Sequence, residues 1–173
     1  MDLFKLVRIS DVFSFLNAIS GLLAIFLAIS GILNNNPPMF NVAPILILAA
    51  VFFDYFDGKT AKMKKIESEF GKQLDSFADL VSFGVAPVVF IFLMFGDIAF
   101  LFAYIIFLVA GITRLARFNV TPKLDYFEGM PITVNGVIFP LLYFLKVDAI
   151  VYYAALVLSG VLMVSRIRVR KFS

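Results

Sequence analysis

Four aspartates in the second quarter of the chain could carry out chemistry together. Asp54 and Asp57 lie three residues apart, and Asp75 and Asp79 lie four residues apart. On helices, these spacings place both members of each pair on one face. The connection between the two pairs is short, so we expect the two faces to lie at the same depth on neighbouring helices, where the four carboxylates can converge.

Carboxylates without other ligands indicate a hard divalent cation. The chain has no His and no Cys, which excludes imidazole acid/base chemistry, a cysteine nucleophile and the usual zinc sites. Two divalent cations would balance four carboxylates, and oxygen ligands favour Mg²⁺, Mn²⁺ or Ca²⁺. The alternative is that the aspartates face water or form interfacial ion pairs with the nearby lysines, which are Lys59, Lys62, Lys64, Lys65 and Lys72.

The helices that hold these aspartates must lie in a membrane. Of the 173 residues, 62% are hydrophobic and 16% are charged, a composition that soluble globular proteins do not have. Six apolar stretches are each about long enough to cross a hydrocarbon core of roughly 30 Å, and they are residues 12–33, 41–61, 73–95, 98–118, 131–146 and 148–165. We therefore predict an all-α integral membrane protein with a single domain, residues 1–173, and six transmembrane helices.

The positions of Lys and Arg predict the orientation in the cell membrane. With the N-terminus in the cytoplasm, every Lys and Arg except Lys146 falls on or near the cytoplasmic side. Both termini and the aspartates are then cytoplasmic. Residues 1–10 alternate apolar and basic positions, which favours a short helix in the membrane interface or, equally, a solvated leader. The net charge of +3 is too small to indicate a nucleic-acid partner.

Small residues recur every four positions on the first predicted span, at Ser20, Ala24 and Ala28. Such a stripe lets a second helix approach closely, either from the same chain or from a second copy. The apolar stretch of this span is too long for the apolar region of an ordinary signal peptide, so we expect it to be retained. At the other end, Arg166, Arg168, Arg170 and Lys171 are expected to contact anionic lipid.

Read in full, the acidic region resembles the signature of the CDP-alcohol phosphotransferases. It runs Asp54-Tyr55-Phe56-Asp57-Gly58-Lys59-Thr60-Ala61-Lys62, eight residues, and then Gly71-Lys72-Gln73-Leu74-Asp75-Ser76-Phe77-Ala78-Asp79. The family pattern is DxxDGxxAR, eight residues and GxxxDxxxD. The sequence departs from it only at Lys62, which keeps the positive charge of the family's Arg but loses its planar, two-pronged contact to phosphate.

Three further segments resemble the phosphatidylserine synthase branch of this family, at residues 82–87 (SFGVAP), 114–119 (RLARFN) and 127–131 (FEGMP). The resemblance then covers most of residues 12–140. It implies an enzyme of phospholipid biosynthesis that transfers a phosphatidyl-type group from a CDP-lipid to the hydroxyl of L-serine and releases CMP. The donor would be CDP-diacylglycerol or its ether-lipid equivalent, and the enzyme would be a homodimer.

The resemblance also implies roles for individual residues. Asp54 and Asp75 would each bind both of two divalent cations, Mg²⁺ or Mn²⁺. Asp57 would bind the first cation only, and Asp79 would bind the second and act as the general base. The expected contacts to the CDP-lipid are Asn17, Gly58, Lys62, Ser68 and Gly71, although close helix packing is an alternative role for the two glycines.

Three residues outside the signature are candidates for substrate contacts. Arg114 and Arg117 could bind the phosphate of the donor or the carboxylate of serine, or could instead reach lipid headgroups. Asn135 could bind a substrate amine or a neighbouring helix. Two alternative functions stay open from the sequence: the same reaction with glycerol phosphate, inositol phosphate or ethanolamine as acceptor, and, more distantly, transport of divalent cations.

Overall fold

The computed structural model describes residues 11–64, 68–121 and 126–170, with all their side chains except those of residues 60–64, 126–127 and 168–170. The helix predicted in residues 1–10 lies outside these ranges. The helices are α1 (Asp11–Leu33), α2 (Pro37–Lys64), α3 (Glu69–Asp79), α4 (Ala86–Phe95), α5 (Leu101–Val120), α6 (Asn135–Phe144) and α7 (Ala149–Val164). A π-helical turn, Leu80–Val85, joins α3 to α4, and 3₁₀ turns at Ile98–Phe100 and Ile132–Val134 precede α5 and α6.

Four helical stretches are long and apolar enough to cross a membrane. They are Asp11–Leu33, Pro37–Lys59, Glu69–Phe95 and Ile98–Val120, and the third combines α3, the π-helical turn and α4. Two shorter apolar helices follow, Ile132–Phe144 and Ala149–Val164. The helical, membrane-type architecture that the composition predicted is thereby confirmed. The crossing of the membrane by the two shorter helices stays a prediction.

The polar connections are shorter than the hydropathy pattern indicated. The second helix continues to Lys64 and the third begins at Glu69, so only residues 65–68 separate them where a break from Lys62 to Lys72 was expected. Ser68 ends this connection as the N-cap of α3, because its hydroxyl accepts a hydrogen bond from the Gly71 N–H at 2.9 Å. Pro37 similarly begins α2, since the first helical turn does not need its missing N–H.

Helices α1 and α2 pack along each other through the small residues that the sequence singled out. Ala24 and Ala28 are fully buried, and Ser20 is nearly so. One turn further on, a Cβ added to Gly31 would lie only 2.8 Å from the Cα of Phe40 on α2. The stripe therefore serves close packing within the chain, which was one of its two predicted uses.

The π-helical turn after α3 fixes this helix against α1. The Ser82 hydroxyl donates a hydrogen bond to the Asn17 carbonyl at 2.8 Å, and a Cβ added to Gly21 would lie 2.7 Å from the Cα of Ser82. Asp79 immediately precedes this turn. The contact therefore sets the position of Asp79 relative to α1.

A small antiparallel sheet lies beside the ends of α5 and α7. Strand β1 (Tyr126–Glu128) pairs with β2 (Arg168–Arg170), and Glu128 lies opposite Arg168. The sequence predicted an all-α protein, and these six strand residues depart from that prediction. The sheet joins the segment that follows α5 to the segment that follows α7, and α5 and α7 pack on each other.

Candidate active site

The predicted aspartates converge at one end of the helices. Carboxylate oxygens of Asp54, Asp75 and Asp79 all lie within 4.8 Å of one another. Asp57 adjoins this group on the side of Asp75, whose carboxyl group is close enough to interact with that of Asp57. Helix α2 supplies the first pair and α3 the second, as the spacing predicted.

The cluster is largely shielded from solvent and carries excess negative charge. Asp79 and Asp57 are only 5% and 8% exposed. Burial and mutual repulsion both disfavour four ionised carboxylates in one place. Arg114, itself 8% exposed, faces Asp54, Asp75 and Asp79 from α5. Its single positive charge offsets one of the four negative charges, so the arrangement favours a further cation.

The alternative of ion pairs with nearby lysines gains no support from the described side chains. The Lys59 ammonium lies over the ring of Tyr55, 5.9 Å from its centroid. The Lys72 ammonium donates a hydrogen bond to the Asn119 carbonyl at 2.7 Å. The side chains of Lys62, Lys64 and Lys65 lie outside the described residues, and with them the expected contact of Lys62 to the donor.

Neutral side chains orient three of the carboxylates. The Ser14 hydroxyl donates to Asp57 Oδ2 at 3.0 Å, and Asn17 Nδ2 donates to Asp79 Oδ1 at 3.1 Å. The Thr133 side chain lies beside Asp54, where its hydroxyl favours the ionised carboxylate. Such partners of carboxylates fix the direction of the remaining oxygen lone pairs, as the outer hydrogen bonds of metal sites do.

Of these three carboxylate partners, only Asn17 was predicted from the sequence, and as a contact to the CDP-lipid. Ser14 and Thr133 were not predicted. The three-residue spacing of Asp11, Ser14 and Asn17 on α1 places them on one helix face, and all three are buried. That spacing was a usable signal for Ser14. No local pattern marks Thr133, because it meets Asp54 only through the tertiary fold.

Buried oxygen atoms in the cluster fit a hard cation. Within the part of the chain that the structure describes, Asp57 Oδ1 and Asn17 Oδ1 are both buried without a hydrogen-bond donor. Carboxylate and amide oxygens are the ligands that Mg²⁺ and Mn²⁺ prefer. The donor set that could hold such ions thus consists of the four aspartates, with Asn17 beside them.

The two glycines of the acidic signature, Gly58 and Gly71, have different surroundings. A Cβ added to Gly58 would meet no heavy atom of the described residues within 4 Å, so among these residues the helix face beside Asp57 is open. A Cβ added to Gly71 would lie 2.8 Å from Asp11 Oδ1 and 3.1 Å from Ser68 Oγ. Packing within the protein therefore accounts for Gly71, whereas the expected approach of a nucleotide fits the space at Gly58.

The three further candidates for substrate contacts, Arg114, Arg117 and Asn135, lie in different surroundings. Arg114 faces the carboxylates, as described above. The Arg117 guanidinium, one turn away, instead donates to backbone carbonyls at the end of α7 and in Glu128. Asn135 is fully buried, with Nδ2 at 3.5 Å from the sulfur of Met163 and Oδ1 without a donor.

Asn119 joins α3 to α5 beside the cluster. Its Nδ2 donates to Ser76 Oγ at 3.0 Å, and its carbonyl accepts the hydrogen bond from Lys72. Ser76 follows Asp75 directly, so these bonds hold the turn of α3 that carries this aspartate. Asn119 is the last residue of the RLARFN segment that the sequence analysis singled out.

Comparison with known proteins identifies the family. The profile of the CDP-alcohol phosphatidyltransferase family matches residues 7–165. The chain is 41% identical over 136 residues to the archaetidylserine synthase of Methanothermobacter thermautotrophicus, covering 76% of this chain and 55% of that protein. It is 35% identical over 168 residues to the CDP-diacylglycerol–serine O-phosphatidyltransferase of Methanocaldococcus jannaschii, covering 97% of this chain and 76% of that protein.

A yeast relative extends the comparison. The CDP-diacylglycerol–serine O-phosphatidyltransferase of Saccharomyces cerevisiae is 36% identical over 136 residues, covering 72% of this chain and 49% of that protein. The chain thus matches about half the length of the yeast and Methanothermobacter proteins. The profile match spans nearly all of the chain and includes the convergent aspartates and their partners. This protein therefore belongs to the CDP-alcohol phosphatidyltransferase family.

Proposed function

We propose that this protein transfers a phosphatidyl-type group from a CDP-lipid to the hydroxyl of L-serine and releases CMP. The observation that carries the proposal is the convergence of four carboxylates and one arginine at the end of apolar helices. Family membership supports the CDP-lipid as donor. Serine as acceptor is supported by the names of the relatives, which include enzymes for both phosphatidylserine and archaetidylserine.

The reaction needs a base for the serine hydroxyl. The serine oxygen attacks the phosphorus next to the lipid, the bond from that phosphorus to the oxygen of CMP breaks, and the hydroxyl proton must be accepted. Without His in the chain, a carboxylate takes this part. We assign it to Asp79. The Asn17 amide holds its Oδ1, which leaves Oδ2 to receive the proton.

The remaining acidic residues would hold two divalent cations, Mg²⁺ or Mn²⁺. Asp54 and Asp75 are the proposed shared ligands, as the family resemblance implies, while Asp57 and Asp79 would each bind one ion. When bound, the ions would neutralise charge on the pyrophosphate and stabilise the leaving CMP. Arg114 faces the carboxylates of this site and is the proposed partner of the serine carboxylate or the donor phosphate.

The proposal extends to the membrane arrangement. We place all six apolar helices across the membrane, with both termini and the aspartates on the cytoplasmic side, on the strength of the Lys and Arg distribution. The shorter α7 packs against α5, which is long enough to span, and this contact supports its place among the spanning helices. The homodimer that the resemblance implied stays a prediction.

The test is CMP release by the purified protein with CDP-lipid and Mg²⁺ or Mn²⁺. Serine, glycerol phosphate, inositol phosphate and ethanolamine would be compared as acceptors. We expect release with serine that requires the metal. In Asp75→Asn the rate should fall below about 1% of that of the unmodified protein, because a ligand shared by both ions is lost.

A matched control is Asp97→Asn. Asp97 caps the 3₁₀ turn before α5 by accepting a hydrogen bond from the Ala99 N–H at 2.8 Å, at the opposite end of α5 from Arg114. Its loss should leave CMP release unchanged. CMP release with a different acceptor would refute serine as the acceptor but support the CDP-lipid as the donor. CMP release with none of the four acceptors would refute the proposed reaction.

A further inference from the structure

Arg117 makes a set of contacts that the proposed reaction does not use. Its Nη2 donates to the carbonyls of Glu128, Met163 and Ser165 at 2.9, 3.2 and 3.3 Å, and Nη1 lies 3.4 Å from the Val164 carbonyl. Three of these carbonyls belong to the C-terminal end of α7, where helix carbonyls lack partners within the helix and a cation is favoured. The fourth, Glu128, belongs to β1.

The arginine therefore ties the connection between β1 and α6, residues 128–134, to the end of α7. Backbone hydrogen bonds reinforce the tie, from Gly129 N to the Ile167 carbonyl at 2.9 Å and from Met130 N to the Leu162 carbonyl at 3.0 Å. Gly129 has a φ of +74°, and a Cβ there would lie 2.9 Å from Arg117 Nη2. A glycine thus lets the guanidinium reach the connection.

The far end of this connection lies on the site. Ile132 is fully buried, with its Cδ1 positioned so that a Cβ added to Gly111 of α5 would lie 2.9 Å away. The side chain of the next residue, Thr133, lies beside Asp54, within reach of a hydrogen bond from its hydroxyl to the carboxylate. The connection is held at one end by Arg117 and in the middle by Ile132, which leaves Thr133 little freedom to move away from the carboxylate.

We propose that Arg117 is a positioning residue, which holds the 128–134 connection so that the Thr133 hydroxyl orients Asp54 for metal binding. The proposal rests on the proposed function for its effect on catalysis. Arg117 is then distinguished from Arg114, which lies one turn away and faces the carboxylates themselves. A lysine could keep the charge at position 117 but could not donate to several carbonyls at once.

The primary test measures Mn²⁺ affinity without any substrate, by titration calorimetry of the purified full-length chain. Thr133→Val should weaken Mn²⁺ binding about tenfold, the usual scale for a lost hydrogen bond to a metal ligand. Arg117→Lys should weaken it about fivefold. Because the arginine acts through Thr133, the double variant should bind no more weakly than Thr133→Val alone.

Each variant has a matched control. Thr113→Val removes a threonine hydroxyl from an exposed position of α5, where it bonds to the carbonyl of Val109 in its own helix. Arg166→Lys alters an exposed arginine next to Ser165. Both should bind Mn²⁺ like the unmodified protein. If Arg117→Lys fails to fold, the comparison of Thr133→Val with Thr113→Val still tests whether the hydroxyl beside Asp54 supports Mn²⁺ binding, and equal affinities would overturn the proposal.

A second readout separates positioning from substrate binding. CMP release should need about fivefold more Mn²⁺ in Arg117→Lys, with an unchanged KM for serine. A raised KM for serine with normal Mn²⁺ affinity would overturn the proposal in favour of a substrate contact. Losses that multiply in the double variant to about fiftyfold would also overturn it. Since the calorimetry needs no acceptor, these outcomes stand apart from the success or failure of the serine reaction.

Discussion

Asn17 is the residue whose contacts bear most directly on the proposed base. It is fully buried, donates to Asp79 through Nδ2, and accepts the Ser82 hydroxyl on its main-chain carbonyl. Its side-chain Oδ1 has no donor. A residue held on both sides in this way fixes the direction of the Asp79 carboxylate, which general-base catalysis requires.

Replacing Asn17 distinguishes a role in orienting Asp79 from a direct contact to the CDP-lipid. In Asn17→Leu the Asp79 carboxylate loses a hydrogen bond, while the γ-branched shape of the side chain at position 17 is kept. We expect kcat for CMP release to fall about 10- to 100-fold with little change in the KM for CDP-lipid, because the effect acts through Asp79. Steady-state kinetics over a range of CDP-lipid concentrations gives both constants.

Ser20→Ala is the matched control for this prediction. Ser20 lies one turn further along the same face of α1, and its hydroxyl bonds only to the carbonyl of Leu16 in its own helix at 2.8 Å. Its kinetics should match those of the unmodified protein. A higher KM with normal kcat in Asn17→Leu would instead support the direct contact to CDP that the family resemblance implied.

At the residue scale, the sequence predicted what local spacing controls. The four aspartates were predictable, since three- and four-residue spacings place side chains on one helix face whatever surrounds them. The partners of these aspartates depend on how helices meet. Thr133 lies 79 residues after Asp54 in the chain (133 − 54), and nothing in its neighbourhood marks it as a partner. The same holds for the carbonyls that Arg117 reaches.

At the element scale, the two signature glycines give a paired test. A methyl group at Gly71 would crowd Asp11 and Ser68, so Gly71→Ala should destabilise the protein by about 1–3 kcal/mol. The methyl group added in Gly58→Ala contacts no atom of the described residues, and alanine has the higher helix propensity. This variant should therefore be more stable by up to about 1 kcal/mol. Thermal unfolding in detergent measures both, and the two shifts should have opposite signs.

Activity completes the comparison of the glycines. If a nucleotide lies against the open face at Gly58, then Gly58→Ala should raise the KM for CDP-lipid despite its higher stability. An unchanged KM would show that the donor binds elsewhere. Gly71→Ala, measured well below its melting temperature, serves as the reference for an effect that comes from packing alone.

Helix positions were more predictable than helix ends and internal irregularities. The apolar stretch at 73–95 falls within the continuous span Glu69–Phe95, because hydropathy averages over many residues. The π-helical turn inside it leaves no trace in hydropathy, since it shifts hydrogen-bond partners without changing composition. The start of α2 at Pro37 was hard to predict for a similar reason, since prolines occur both in the first turn of a helix and shortly after the end of one.

At the scale of the whole molecule, the absence of cysteine makes orientation directly measurable. We would introduce single cysteines at Asn34, before α2, at Asp97, before α5, and at Glu69, at the start of α3. In intact cells, a membrane-impermeant maleimide should label the first two and leave the third unlabelled. Each span moves the chain to the other side of the membrane, so successive connections should lie outside, inside and outside.

Permeabilised cells provide the control, because all three cysteines should then react. Labelling of the Glu69→Cys variant in intact cells would contradict a cytoplasmic site. A fourth cysteine at Asp148, before α7, tests the six-span arrangement. It should label from outside if α6 and α7 both cross the membrane, and it should be protected if they do not.

The close packing of α1 on α2 has a consequence for how the protein is made. These helices leave the ribosome before α3, are joined by a tight turn, and are in contact from Gly31 to the Ser14–Asp57 bond. Such a pair can assemble in the membrane before the rest of the chain is synthesised. Half of the site, Asp54 and Asp57 with Ser14 and Asn17, would then exist before Asp75 and Asp79 arrive on α3. The metal ions would then bind late in biogenesis. Their binding would stabilise the packing of α3 against the α1–α2 pair already inserted in the membrane.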